Sequence, residues 1–236
     1  MSPPEPGQEL ARRRVARGEH RFPPALAVVA ALVVYALLPS SILFTQRLVI
    51  PVVELLLLVA LLVTNPLRIT RQTSWSRGVS MALALVVIVT NLISLGLLVT
   101  ELSGSATCAK LLLGAMQIWI TNVIGFGLLF WEMDRGGPVA RHSRTRDEMP
   151  DAEWRFSQDE NDDAVAEVSR TSSETSGWVP VFVDYLYLSL TNSSAFSPTD
   201  TMPLSSRAKV LMGIEATAAL LISLLVVARA VGTLAG

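Results

Sequence analysis

Five apolar runs separated by polar segments dominate the pattern of this 236-residue chain. At a rise of about 1.5 Å per residue, a helix of about 20 apolar residues crosses a hydrocarbon layer about 30 Å thick. The pattern therefore predicts an all-α, polytopic membrane protein with five long transmembrane helices, at residues 25–44, 48–64, 79–100, 109–131 and 209–231. A shorter aromatic run, residues 178–196, precedes the last of these helices and predicts one short or re-entrant helix.

Two polar segments complete the predicted organisation. Residues 1–24 are rich in Pro, Arg and Glu, a composition typical of a disordered tail. Residues 132–177 predict a polar, flexible loop outside the membrane, because Gly136-Gly137-Pro138 ends the preceding helix. The chain thus divides into a tail (1–24), a four-helix region (25–131), a loop (132–177) and a C-terminal part (178–236).

Composition and charge support this interpretation. Hydrophobic residues make up 51% of the chain and charged residues only 17%, against about 25% in a typical soluble domain. The net charge of −1 indicates no nucleic-acid partner, so the lipid bilayer is the expected partner. Arginines concentrate in the N-terminal tail, in residues 65–78 and at the start of the 132–177 loop. The positive-inside rule then places the N-terminus and this loop in the cytoplasm of a multi-pass cell-membrane protein.

The sequence contains no recognisable catalytic constellation. One cysteine excludes an internal disulfide, and one cysteine with two histidines excludes a zinc cluster. A glycine-rich phosphate loop is also missing. We therefore expect neither an enzyme, nor a cofactor, nor a bound metal.

The C-terminal part resembles a known pore structure. The stretch LYLSLTNSSAFSPTDTMP, residues 186–203, with the apolar run after it, is similar to the pore helix, filter and inner helix of pore-loop potassium channels. The family's recurrent Ser, Thr, Asp and Pro fall on Ser189, Thr191, Asp200 and Pro203. Ser197-Pro198-Thr199 replaces the family's Gly-Tyr-Gly, so a conventional potassium filter is not expected. The chain also resembles a group of bacterial multi-span membrane proteins of unknown function.

This resemblance implies an ion-permeation path in a homo-oligomer, with a monovalent cation as the permeant species. The residues that it places along such a path are Thr191, Asn192, Ser193, Ser194, Ser197, Thr199, Asp200 and Glu215. An external turn is the alternative role for the hydroxyl-rich residues of this group. Two other functions stay open: a non-conducting membrane scaffold or interaction protein, and a small proton-coupled transporter that uses Glu54 and Glu215.

The path of residues 178–196 has two interpretations. A re-entrant half-helix is tolerated where protein or water covers its backbone, and it would leave the C-terminus outside. A full crossing would place residues 197–206 outside and return Arg229 to the cytoplasm. The crossing is favoured, because it reconciles the arginine distribution with a pore helix that enters from outside.

Four more polar residues fall within or beside the predicted membrane segments: Glu54, Asn91, Asn122 and Asp184. Ionisable residues at such depths are costly and are candidates for functional sites. We expect the two asparagines to hydrogen-bond between neighbouring helices, and Asp184 to lie at the membrane interface or at a helix start. Gly125 and Gly127 favour close helix packing.

Overall fold

The computed structural model describes residues 19–20, 22–36, 55, 74–100, 108–160, 165–195 and 200–234. Short 3₁₀ turns at Asp134–Gly136, Arg146–Glu148 and Ser157–Asp159 accompany the elements below. In chain order these elements are α1 (Phe22–Ala36), α2 (Ser74–Thr100), α3 (Cys108–Met133), α4 (Pro138–Ser143), β1 (Trp154–Arg155), α5 (Ala166–Ser169), α6 (Ser173–Ser176), α7 (Phe182–Ala195), β2 (Met202–Pro203) and α8 (Ser206–Leu234).

The all-α fold class is confirmed, but five long spans are not supported. Three of the described helices are long and apolar enough to cross a membrane, at Arg77–Thr100, Ala109–Gly136 and Ser206–Gly232. The run predicted at residues 25–44 overlaps α1, which has 15 residues. The run predicted at residues 48–64 lies outside the described residues except for Leu55.

Helix α3 lies at the centre of the bundle. Within the most apolar stretch of each long helix, 67% of α3 is buried inside the protein, against 24% of α2 and 33% of α8. Glycine allows two close approaches: a Cβ on Gly125 would lie 3.3 Å from the Ile88 side chain, and one on Gly127 would lie 3.3 Å from the backbone of Leu186. The predicted role of both glycines in helix packing is confirmed. The outer faces of α2 and α8 are apolar and exposed, which suits contact with lipid.

Residues 134–160 and 165–181, here called the cap, fold against one end of the bundle. Trp154 is fully buried, with its ring 4.8 Å from Phe130 and 6.3 Å from Tyr185. Its indole N–H donates to the Met212 sulfur of α8 at 3.1 Å. The expected flexible loop is therefore wrong for the described part of this segment. Hydrophobic anchors between its charges hold it to the helices.

Buried polar groups complete the junction between cap and bundle. The Asp134 carboxylate accepts hydrogen bonds from the Glu153 backbone N–H at 2.7 Å and the Tyr185 hydroxyl at 2.5 Å. Arg141, also fully buried, donates to the carbonyls of Trp131 and Asp134, both at 2.8 Å. Because each charge has partners, their burial is tolerated.

The beginnings of α1 and α2 meet the end of α3 beneath the cap. Glu19, just before α1, is buried and accepts hydrogen bonds from the Trp131 indole at 3.0 Å and the Phe182 backbone N–H at 2.6 Å. The sequence places Glu19 in the predicted disordered tail, but these hydrogen bonds show that it is ordered. Residues 1–18 lie outside the described part. Arg77, in α2, donates to the Glu132 carbonyl at 3.1 Å. Glu19 and Arg77, described residues of two arginine-rich segments, thus lie at the same end of the bundle as the start of the cap.

Helix α7 enters the bundle from the cap end, and the chain returns to that end. Strands β1 and β2 pair antiparallel, and the Leu204 N–H donates to the Glu153 carbonyl at 2.8 Å. Residues 200–205, here called the return segment, therefore lie beside the cap. Residues 182 and 200–205 both lie at the cap end of the bundle, which favours the re-entrant alternative over the crossing predicted for residues 178–196. At 14 residues, α7 reaches only about 21 Å.

This path predicts a labelling pattern for single cysteines introduced after replacing Cys108 with Ser. Ser143→Cys in the cap and Asp200→Cys in the return segment are expected to react with a membrane-impermeant maleimide from the same side of the membrane. Ala109→Cys, at the opposite end of α3, is expected to react from the other side. All three native residues named are exposed, and detergent-solubilised protein provides the control for reactivity. Labelling of position 200 together with position 109 would contradict re-entry.

Candidate functional site

The Glu215 cluster, formed by Ser189, Asn192, Ser193 and Glu215, lies between α7 and α8. Glu215 is fully buried, and its Oε1 faces the hydroxyls of Ser189 and Ser193, the latter at 3.1 Å. The Asn192 amide donates to the Glu215 Oε2 at 2.7 Å and to the Met212 carbonyl at 3.0 Å. Three side chains of one helix therefore converge on one carboxyl group.

The sequence of α7 explains this convergence. Ser189, Asn192 and Ser193 have the spacing i, i+3, i+4, which places them on one face of a helix. The opposite face carries Val183 and Tyr187, which are exposed. The short helix is thus amphipathic, with its polar face directed into the protein and its apolar face directed outward.

The hydrogen-bond arrangement favours a protonated Glu215. Besides contacting Glu215, the Ser189 hydroxyl lies 2.9 Å from the carbonyl of Val123 in α3. A hydroxyl has one hydrogen, so a carboxylic acid that donates to Ser189 while Ser189 donates to Val123 satisfies both contacts. Among the described residues, no cation lies within ion-pair distance of Glu215. A buried, unpaired charge is very costly, which favours the neutral form as well.

The structure separates the residues predicted to line a pore. Asn192, Ser193 and Glu215 come together in the cluster. Thr191 instead donates to the Tyr187 carbonyl of its own helix at 2.9 Å. Ser194 and Asp200 are exposed, and Ser197, Thr199 and Glu54 lie outside the described residues. Ser189 was not among the pore-lining candidates, although its i, i+3, i+4 relation to Asn192 and Ser193 is a signal for it.

The remaining intramembrane candidates have different surroundings. Asn91 accepts a hydrogen bond from Thr121 of α3 at 3.0 Å, so the predicted bond between helices is confirmed for this residue. Asn122 is buried, and neither polar atom of its amide has a hydrogen-bond partner among the described residues. Asp184 accepts from the Val181 backbone N–H at 2.7 Å, which confirms its role at a helix start.

The described residues do not form a recognisable metal site. No group of three or more His, Cys, Asp or Glu side chains comes together there as potential metal ligands. The Glu215 cluster offers one carboxyl group, two hydroxyls and one amide. These groups can exchange hydrogen bonds with one another, and the carboxyl group can hold a proton.

Replacing Glu215 tests the protonation state that the hydrogen bonds favour. Glutamine has the shape of the protonated acid and keeps a donor towards Ser189, so Glu215→Gln is expected to change the unfolding free energy by less than about 1 kcal/mol. Glu215→Ala leaves several buried groups without partners and is expected to cost about 3 kcal/mol or more. Thermal unfolding in detergent measures both, with the exposed Thr217→Ala as control. Equal losses for Gln and Ala would indicate a charged Glu215.

Two adjacent serines provide a second, matched test. Ser193 is buried and bonded to Glu215, whereas its neighbour Ser194 is exposed. Ser193→Ala is expected to cost about 1 kcal/mol, the usual value of a hydrogen bond between membrane helices. For Ser194→Ala we expect less than about 0.5 kcal/mol. The difference between their midpoints of thermal unfolding measures the contribution of the cluster, and equal midpoints would argue against it.

Comparisons with protein-family models, with curated proteins and with solved structures found no match for this chain.

Proposed function

We propose that this membrane protein contributes a re-entrant pore module to a homo-oligomeric path for monovalent cations. The module consists of α7, the return segment and α8. The observation that supports it is the course of the chain: a half-length helix enters from the cap end, and the chain returns to that end before the long helix α8 begins. Channels build permeation paths from such interrupted backbone, because non-helical chain at membrane depth is tolerated where it lines water.

The Glu215 cluster has an anchoring role in this proposal. Ser189 lies opposite the Val123 carbonyl, ten residues from the end of α3, and so about 15 Å into the bundle. At this depth the cluster fixes α7 against both long helices. The exposed Ser194 and Asp200 are then the described residues best placed to face a path, while Glu215 holds the helix.

A second candidate function is proton-coupled transport through Glu215. The hydrogen-bond arrangement that favours a protonated carboxyl group supports it, because a buried acid with exchangeable partners can bind and release a proton. In this alternative Glu215 is itself the transport site. The two candidates therefore differ in what Glu215→Gln does: the pore module keeps its anchor, whereas a proton site loses its titrating group.

A flux assay with purified protein in liposomes separates these functions. Vesicles loaded with potassium and diluted into a buffer of a large, impermeant organic cation are followed with a pH-sensitive dye, before and after addition of a protonophore. The pore module predicts that the dye fluorescence is quenched only after addition of the protonophore, when proton uptake balances potassium efflux. It also predicts that the Glu215→Gln variant shows the same quenching. Proton transport instead predicts a pH change that is driven by a proton gradient alone and lost in Glu215→Gln.

Protein-free liposomes and the exposed Thr217→Ala variant provide the controls for this assay. Glu215→Ala is expected to lose cation flux together with stability, because α7 loses its anchor. If the wild-type protein, folded and correctly inserted, carries no flux of any monovalent cation or proton, both candidates are wrong and the non-conducting scaffold remains.

A further inference from the structure

A cavity of about 300 Å³ lies in the cap, away from the Glu215 cluster. Its charged lining consists of three arginines, Arg135, Arg146 and Arg155, and one carboxylate, Asp159. Ser173 and Leu204 also line it. Three guanidinium groups and one carboxylate thus line the cavity, while Asp134 and Glu160 pair with Arg135 and Arg155 from outside this lining. The wall itself presents more cationic than anionic side chains, which favours an anionic ligand.

The arginines are held in place by contacts that leave donors towards a ligand. Arg135 donates to the Trp154 carbonyl at 3.3 Å and to Asp159 at 2.5 Å. Its side chain is only 8% exposed, and its Nη1 makes no hydrogen bond, although it lies 3.5 Å from Asp134. A buried guanidinium nitrogen without a hydrogen-bond acceptor favours an anionic ligand nearby.

The other two arginines reach the cavity from the cap surface. Arg146 donates to the Trp178 carbonyl at 2.7 Å, and its Nη1 lies 3.8 Å from Asp159. Arg155 follows Trp154 in β1 and pairs with Glu160 at 2.8 Å. Both side chains are partly exposed, at 40% and 45%, so they can turn their forked donors towards a ligand without unfolding the cap.

We propose that this arginine cavity binds a phosphate group, carried either by a soluble compound or by a lipid headgroup. Arginine forks match the geometry of phosphate oxygens, and a cluster of them is a common basis for phosphate recognition. The cavity lies where α3 ends, since Arg135 follows directly after that helix and Asp134. A lipid headgroup and a soluble phosphate compound are therefore both within reach. This inference does not depend on the proposed pore.

Ligand binding in the cavity would connect the cap with the return segment. Leu204 contributes to the cavity wall, and its backbone N–H donates to the Glu153 carbonyl. The Glu153 carboxylate in turn accepts from Ser205 and Arg207 at the start of α8. A ligand held by the arginines thus stabilises the same contacts that fix the chain after α7.

Titration with inorganic phosphate tests the site in the full-length protein in detergent. Saturable heat release in calorimetry and a rise in the unfolding midpoint are expected, with chloride at matched ionic strength as the reference. Arg155→Gln and Arg146→Gln are each expected to weaken binding about tenfold, because each removes charge-assisted hydrogen bonds. Arg144→Gln removes the same charge from an exposed neighbour outside the cavity lining and is expected to leave the affinity unchanged.

A second arm distinguishes the source of the phosphate group. Phosphatidylglycerol added to the micelles is expected to raise the unfolding midpoint and to compete with phosphate if a lipid headgroup occupies the cavity, whereas phosphatidylcholine is the reference lipid. Binding of phosphate without an effect of phosphatidylglycerol supports a soluble ligand. The proposal is wrong if neither phosphate nor phosphatidylglycerol shows saturable binding, or if Arg144→Gln weakens binding as much as Arg155→Gln does.

Discussion

The hydrogen bonds between α7 and Glu215 are the interaction on which the C-terminal architecture depends. A half-length helix inside an apolar bundle presents polar groups that no water satisfies, and each unsatisfied group costs several kcal/mol. Ser189, Asn192 and Ser193 meet this requirement through one carboxyl group on α8. Ser189 also contacts the Val123 carbonyl, so the cluster joins α3, α7 and α8 at one point.

The cap provides a second point of attachment for α7 and the return segment. Trp154 packs between α3, α7 and α8, while Glu153 contacts the return segment and the first turn of α8. The chain between Phe182 and Arg207 is therefore held both at the surface of the bundle and near its middle. Contacts at both levels therefore hold α7, which at 14 residues is shorter than a full membrane span.

The sequence predicts three of the described helices from their continuous apolar runs, whereas the five long spans that it predicts are not supported. Residues 79–100, 109–131 and 209–231 lie within α2, α3 and α8. Helix α3 ends at Met133, and the chain then turns through Arg135, Gly136 and Gly137, which all have a positive φ. The cap could not be predicted, because its pairs join residues far apart, as with Asp134 and Tyr185. The positive-inside rule assumes that every arginine side chain is solvated, whereas Arg135 and Arg141 are buried. Glu215 could be recognised as a candidate because it is an acidic residue within an apolar run. Its hydrogen-bond partners could be recognised only from the i, i+3, i+4 spacing in α7.

The two faces of α7 limit how copies of this chain could assemble around a path. Val183, Tyr187 and Leu190 form an apolar outer face, exposed in the single chain. In a bilayer, lipid covers such a face as well as another protein does, so apolar burial gives little drive for association. Specific assembly therefore has to come from close packing or polar contacts. Ser194, near the inner end of α7, and Asp200, in the return segment beside the cap, are exposed polar residues at two levels of this module, and hydrogen bonds to such residues are contacts that lipid cannot offer.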